Sequence, residues 1–122
     1  MKVPFNDLYK HHAPILEDIK DAFEEVVKRS SFIRGQDVDR FEKNFAELVG
    51  VKNCVSCANG TDALYIAITA LGLTSGDEVI VPAHSWISTS ETVTQAGGRV
   101  VFCDTLEDTF NMDPEHLARL IT

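Results

Sequence analysis

Basic residues are scarce in this chain: 11 Lys and Arg stand against 19 Asp and Glu, a formal net charge of -8 over 122 residues. Nucleic acids and anionic membranes are held mainly by Lys and Arg, so neither is expected as a partner. Cysteine is sparse as well. Three of them, an odd number, do not make a disulfide framework, and a cytoplasmic location is expected. Cys54 and Cys57 form a C-x-x-C, but in a strand residues three apart point to opposite faces. No second Cys or His pair lies at ligand spacing: His11 and His12 are adjacent, and His84 and His116 stand alone. No metal site is expected, and Cys54, Cys57 and Cys103 read as small buried apolar residues. No apolar run approaches the roughly 20 residues of a membrane span, and the first residues lack the charged-then-apolar pattern of a signal peptide. Neither G-x-G-x-x-G nor G-x-x-x-x-G-K-[ST] occurs, which argues against a general nucleotide-binding module.

What remains is an ordinary globular composition, 44% hydrophobic and 25% charged, without repeats or low-complexity runs. The first fifty residues read as helical. Pro14 suits a first helical position, and Ile15, Ile19, Ala22, Phe23, Val26 and Val27 trace one apolar face. After a break at Ser30–Gly35, Asp37 can cap a second helix. In it Val38, Phe41, Phe45 and Leu48 share a face, and it stops at Gly50. From residue 51 the pattern changes to strand 53–57, helix 61–71, strand 78–82, helix 85–96, strand 99–103 and a helix opening at Asp113-Pro114. Such alternation is the signature of an α/β sheet. The expected division is a helical segment, 1–50, followed by the first strands and helices of a larger α/β domain, 51–122. The last helix has barely begun where the sequence stops, so a longer protein is expected.

Two junctions in this pattern carry chemistry. Gly60 and Thr61 stand where a strand turns into a helix, a place with free amides and the positive end of the helix dipole. Gly60 permits close approach of an anion and Thr61 adds a hydroxyl donor. The plainer reading is that the pair only caps the helix. About 25 residues on, the strand ending at Pro82 leads through Ala83-His84-Ser85 to Trp86, with Ser85 a candidate N-cap and Gly97-Gly98 the stop. If the strands are parallel, Trp86 reaches the same sheet edge as Gly60 and Thr61. A flat ring beside a phosphate cradle suits a planar phosphorylated cofactor. The plainer reading of Trp86 is core packing.

The motifs "VPFNDL", "FIRGQDVDRFEKNF", "CANGTDALYIAITALGLTSGDEVIVPAHSWISTSETV" and "VVFCDTLEDTFNMDP", in this order, resemble the N-terminal part of the DegT/DnrJ/EryC1/StrS family of pyridoxal-phosphate-dependent sugar aminotransferases. The resemblance implies the large domain of the aspartate aminotransferase fold (fold type I), a three-layer α/β/α sandwich, and pyridoxal 5'-phosphate as cofactor. Gly60 and Thr61 would bind its phosphate, Asn59 could add an amide contact, and Trp86 would stack on the pyridine ring. Asn59 stands where many members have Ser, and His84-Ser85-Trp86 replaces the commoner Thr-Phe or Thr-Tyr. His84 is either a substrate or cofactor contact or a plain loop residue. The resemblance also implies glutamate as donor, a nucleotide-linked keto sugar as acceptor, and a homodimer. A related sugar dehydratase or deoxygenase, in which His replaces the Schiff-base lysine, is the alternative.

That lysine and the acid facing the pyridine nitrogen lie downstream in family members, so no catalytic residue is expected in this stretch. Lys2, Lys10, Lys20, Lys28, Lys43 and Lys52 read as solvated charges. Asp104 follows the third strand, but the family's acid sits in a later motif. The resemblance further implies that strand 53–57 lies at the far side of the large sheet from the next two. On these residues alone it would lack neighbours, and a non-catalytic fragment needing a partner to fold is a third possibility.

Overall fold

The computed structural model describes residues 3–122; Lys2 lies outside the described residues. The chain divides into two compact units, one ending at Ser56 and the other spanning Cys57–Thr122.

In the first unit Asp7 caps α1 (Leu8–His12) by accepting the Lys10 amide, and a 3-10 turn at Ala13–Ile15, with Pro14 at its start, leads into α2 (Leu16–Arg29). Ser30 ends α2 in the left-handed region at φ 52°. Asp37 is not the cap of α3 (Gln36–Val49); that position is Gly35, with no side-chain cap bond. The Asp37 carboxylate is engaged instead by Arg29 at 2.6 Å and Arg40 at 2.9 Å. Within the first turn it still meets the positive end of the helix dipole. Gly50, at φ 76°, closes α3 as expected, and the Val51 amide donates to the Ala46 carbonyl. The apolar faces form, but Ile19, Phe23, Phe41, Phe45 and Leu48 stay largely exposed.

The expected strand at 53–57 is absent. Half-buried Cys54 and Ser56 alternate with exposed Asn53, Val55 and Cys57, so the period-2 pattern persists without a ladder. A strand needs a neighbour, and here the Ser56 amide and hydroxyl donate to Glu42 Oε1 at 2.7 and 2.8 Å. Cys103 is fully buried, as expected; Cys57 is exposed, because no sheet covers it.

In the second unit α4 (Gly60–Ala70) precedes β1 (Glu78–Pro82), α5 (Ser88–Gln95), β2 (Arg99–Cys103) and α6 (Pro114–Leu120). The β-branched runs Val79-Ile80-Val81 and Val100-Val101 favour strands. β1 and β2 pair in parallel from Glu78 opposite Arg99 to Pro82 opposite Cys103. An ion pair between Glu78 and Arg99 lies at the first rung. Past the last, where Pro82 has no N–H to give, Ala83 donates to the Cys103 carbonyl at 2.8 Å. The crossover helix α5 packs on both strands, α4 packs on α5, and α6 on β2. Val81, Val93 and Cys103 form the buried core of this unit, with Ser88 and Thr92.

The helix expected to start at Ser85 begins three residues later, after Ile87. The Ser85 hydroxyl bonds the Thr89 hydroxyl at 2.7 Å instead of a backbone amide, so it does not cap. At the other end Gly97, at φ 88°, and the Gly98 amide on the Val93 carbonyl make the expected stop. A Cβ on Gly98 would lie 2.9 Å from Leu73 Cδ1 and 3.2 Å from Val93 Cγ1, so the chain passes close under this helix. Asp113 caps α6 through the Glu115 amide, with Pro114 following, as expected.

Two outcomes follow from this packing. Val93→Ala removes two methyl groups from a site with 0% exposure and is expected to destabilise the protein by about 2 kcal/mol in denaturant unfolding. Glu42 is held below the usual carboxylate range by the Ser56 amide and hydroxyl. The folded form therefore sheds the Glu42 proton more readily than the unfolded chain. Its contribution is complete above the ordinary Glu range and lost as pH falls through the lowered value. The melting-temperature gap between wild type and Glu42→Gln should shrink on acidification below about pH 4; a gap constant with pH would contradict this.

Candidate functional site

The site is built at the start of α4. Asn59 is its N-cap in extended backbone, and the Asn59 side-chain oxygen accepts the Asp62 amide at 3.0 Å. The Asn59 side-chain amide in turn donates to Asp62 Oδ2 at 3.0 Å. This reciprocal cap holds the Asp62 carboxylate against Asn59, and the Ala63 amide closes the first helical bond on the Asn59 carbonyl at 3.1 Å. Among the described residues no acceptor meets the amides of Gly60 and Thr61. A Cβ placed on Gly60 would touch nothing within 4 Å, so the approach to those amides is open. Two free N–H groups at the positive end of an 11-residue helix, with a hydroxyl beside them, suit the phosphate of a cofactor.

Thr61 is half-buried, and its hydroxyl lies 2.7 Å from the hydroxyl of Ser88, the first residue of α5. Ser88 is only 6% exposed. The Ser88 carbonyl accepts the Thr92 hydroxyl at 2.7 Å, which fixes the turn that carries Ser88. The starts of α4 and α5 are thus joined through side chains. Sequence reasoning passed over Ser88 and Thr92. Their signal was two small hydroxyl residues four apart on α5, a spacing that puts both on one face.

Trp86 lies two residues before α5, is 78% exposed, and stands apart from the buried Val81, Val93 and Cys103. With Pro82, Ile87 and Phe102 it lines a groove of about 240 Å3 at the end of the two strands. Gly60 and Thr61 are not among the lining residues. Thr61 bonds Ser88, which stands two residues after Trp86, on the edge where both strands end. The His84 ring meets Phe110 at 5.4 Å between centroids, and Phe110 is held at φ 57°. This contact ties the 83–86 loop to the turn after β2.

Asp104, Lys10, Lys20 and Lys28 have local partners. One Asp104 carboxylate oxygen accepts the Thr105 amide at 2.8 Å, and the Asp104 amide donates to His116 Nδ1 at 3.0 Å. Lys10, Lys20 and Lys28 make ion pairs along their own helices, and two neighbouring glutamates raise the Lys28 pKa. No group of three or more metal-ligating side chains occurs among the described residues.

The DegT/DnrJ/EryC1/StrS aminotransferase family matches residues 14–122. The chain is 41% identical over 120 residues to UDP-2-acetamido-2-deoxy-3-oxo-D-glucuronate aminotransferase of Pseudomonas aeruginosa, covering 98% of this chain and 33% of that protein. The structure of NtdA from Bacillus subtilis with bound pyridoxamine phosphate superposes with a TM-score of 0.93 at 34% identity, over 99% of this chain and 28% of the other. An Escherichia coli GDP-4-keto-6-deoxy-D-mannose-3-dehydratase with bound hydrated pyridoxal phosphate gives 0.79 at 32% identity, over 99% and 30%. The chain spans about a third of the length of the curated relatives it matches first.

The cap geometry makes a simple prediction. Asn59→Ala should cost about 1 kcal/mol of stability, while Asn59→Ser should retain most of it; equal losses in both variants by thermal unfolding would mean that the Asn59 cap is not what holds the turn.

Proposed function

We propose, from the premise that the chain belongs to the DegT/DnrJ/EryC1/StrS aminotransferase family, that it forms the phosphate-binding side of a pyridoxal-phosphate-dependent enzyme. That enzyme moves an amino group from glutamate to a keto carbon of a nucleotide-linked sugar. The observation that carries this reading is the pair of free amides at Gly60 and Thr61, opened by the Gly60 side and joined through Thr61 to the helix that follows Trp86. Relatives with sugar-aminotransferase names support it.

In this reading Gly60 and Thr61 hold the phosphate, Asn59 keeps their amides aimed by capping the next one, and Trp86 covers the ring. When bound, the cofactor supplies an electron sink for charge developing at the substrate carbon. The chain's own residues bind and orient. A phosphate fixed at a helix start sets the distance of the ring from the sheet edge, and an aromatic face limits its tilt. The Asp62 carboxylate, two residues from Gly60, would repel an anion; its hydrogen bond from the Asn59 side chain offsets part of that charge. The amine chemistry also needs a lysine, which Asn59, Gly60, Thr61 and Trp86 do not supply.

We assign residues 1–50 to a helical segment and 51–122 to the opening of the cofactor-binding domain, in a cytoplasmic protein that works as a homodimer. The dehydratase similarity supports a second reading, loss of a sugar hydroxyl in place of amination. Formation of an amino sugar together with 2-oxoglutarate, from a nucleotide-linked keto sugar and glutamate with the full-length protein, is the outcome expected of the first reading; a deoxygenated sugar without a new amino group would favour the second. In the same protein Trp86→Ala should weaken cofactor retention by about 1 kcal/mol or more. Unchanged retention would remove Trp86 from the site.

A further inference from the structure

We propose that Ser88 is a positioning residue for the cofactor phosphate: its buried hydroxyl donates to Thr61 Oγ1 and so commits the Thr61 proton to the anion. The inference rests on the assignment of Gly60 and Thr61 to phosphate binding made above.

A hydroxyl carries one proton and can accept two hydrogen bonds. At 2.7 Å one of the two hydroxyls must donate to the other, and distance alone leaves the direction open. Burial decides it. Ser88 is 6% exposed, and its hydroxyl has no hydrogen-bond partner but Thr61 among the described residues. If Thr61 were the donor, the Ser88 proton would point into the packed seam between α4 and α5 without an acceptor. Donation from Ser88 satisfies the buried group and leaves the Thr61 proton free on the half-buried, outward side. A phosphate dianion accepts and never donates, so Thr61 can serve it only in this second arrangement. Ser88 itself is held by the Thr92 hydroxyl on its carbonyl. Donation into an oxygen that is itself donating strengthens the outer bond. The chain Ser88 to Thr61 to phosphate therefore runs in one direction.

The test is a set of dissociation constants on the full-length protein, by equilibrium dialysis, for pyridoxamine 5'-phosphate and for pyridoxamine. Neither probe bonds covalently to an amine, and only the first carries a phosphate. Ser88→Ala should weaken the phosphorylated probe about two- to threefold, the share of the Thr61 bond that donation from Ser88 adds by polarising and orienting the Thr61 hydroxyl, and leave pyridoxamine unchanged. In a Thr61→Ala background the same change should add nothing. Ser88→Cys, which fills the space with a weaker donor, should show the same selective loss while keeping the wild-type melting temperature, and it replaces Ser88→Ala if that variant does not fold.

Equal weakening of both probes, or a Ser88→Ala loss that persists without the Thr61 hydroxyl, would overturn the proposal. Wild-type affinity in Ser88→Ala beside weakened binding in Thr61→Ala would also overturn it, while leaving the phosphate site in place. Wild-type affinity in both single variants would remove the phosphate from Thr61 altogether.

Discussion

Parallel pairing of β1 with β2 is the constraint from which the rest of the second unit follows. Two parallel neighbours cannot be joined by a tight turn, so the chain between Pro82 and Arg99 has to travel back along the sheet, and α5 is that return path. Its start therefore falls at the edge where the strands end. Trp86 belongs to that edge because it sits between the end of β1 and the start of α5. α4 packs beside α5, and the bond from Thr61 to Ser88 brings its own start there as well. The unit thereby gathers free amides, hydroxyls and an exposed aromatic ring at the place where α/β sheets bind ligands.

Polarity at that edge is layered. The innermost hydroxyls, Ser88 and Thr92, are buried, each with one hydrogen-bond partner. Thr61 is the bridge outward, and the Gly60 and Thr61 amides are left without acceptors. A chain with a net charge of -8 has a general field hostile to anions, so a phosphate has to be held by short-range donors. A helix start supplies them without any cationic side chain. The reciprocal bonds of Asn59 and Asp62 keep that start rigid while drawing the nearest carboxylate onto an amide.

Much of this was legible in the sequence because its carriers are local. The strands at 78–82 and 99–103, the stops at Gly50 and Gly97-Gly98, and the cap at Asp113 are each set by a few neighbouring residues. Family membership was legible for the same reason, through ordered short motifs. What the sequence hid depended on partners far along the chain. Strand 53–57 has the right alternation but no neighbour to pair with, and Glu42, 14 residues earlier, takes the Ser56 amide. Ser85 and Asp37 are sound capping residues by type, yet a Thr89 hydroxyl and two arginines claim their side chains first. Ser88 was invisible because its partner is 27 residues away.

The central claim is that the start of α4 holds the phosphate of a cofactor whose ring lies under Trp86. The most direct measurement is a crystal structure of the full-length protein with pyridoxamine 5'-phosphate. The account predicts phosphate oxygens within hydrogen-bonding distance of the Gly60 and Thr61 amides and the Thr61 hydroxyl, with the pyridine ring against the Trp86 indole. A cofactor phosphate bound elsewhere, with those amides facing only water, would contradict it.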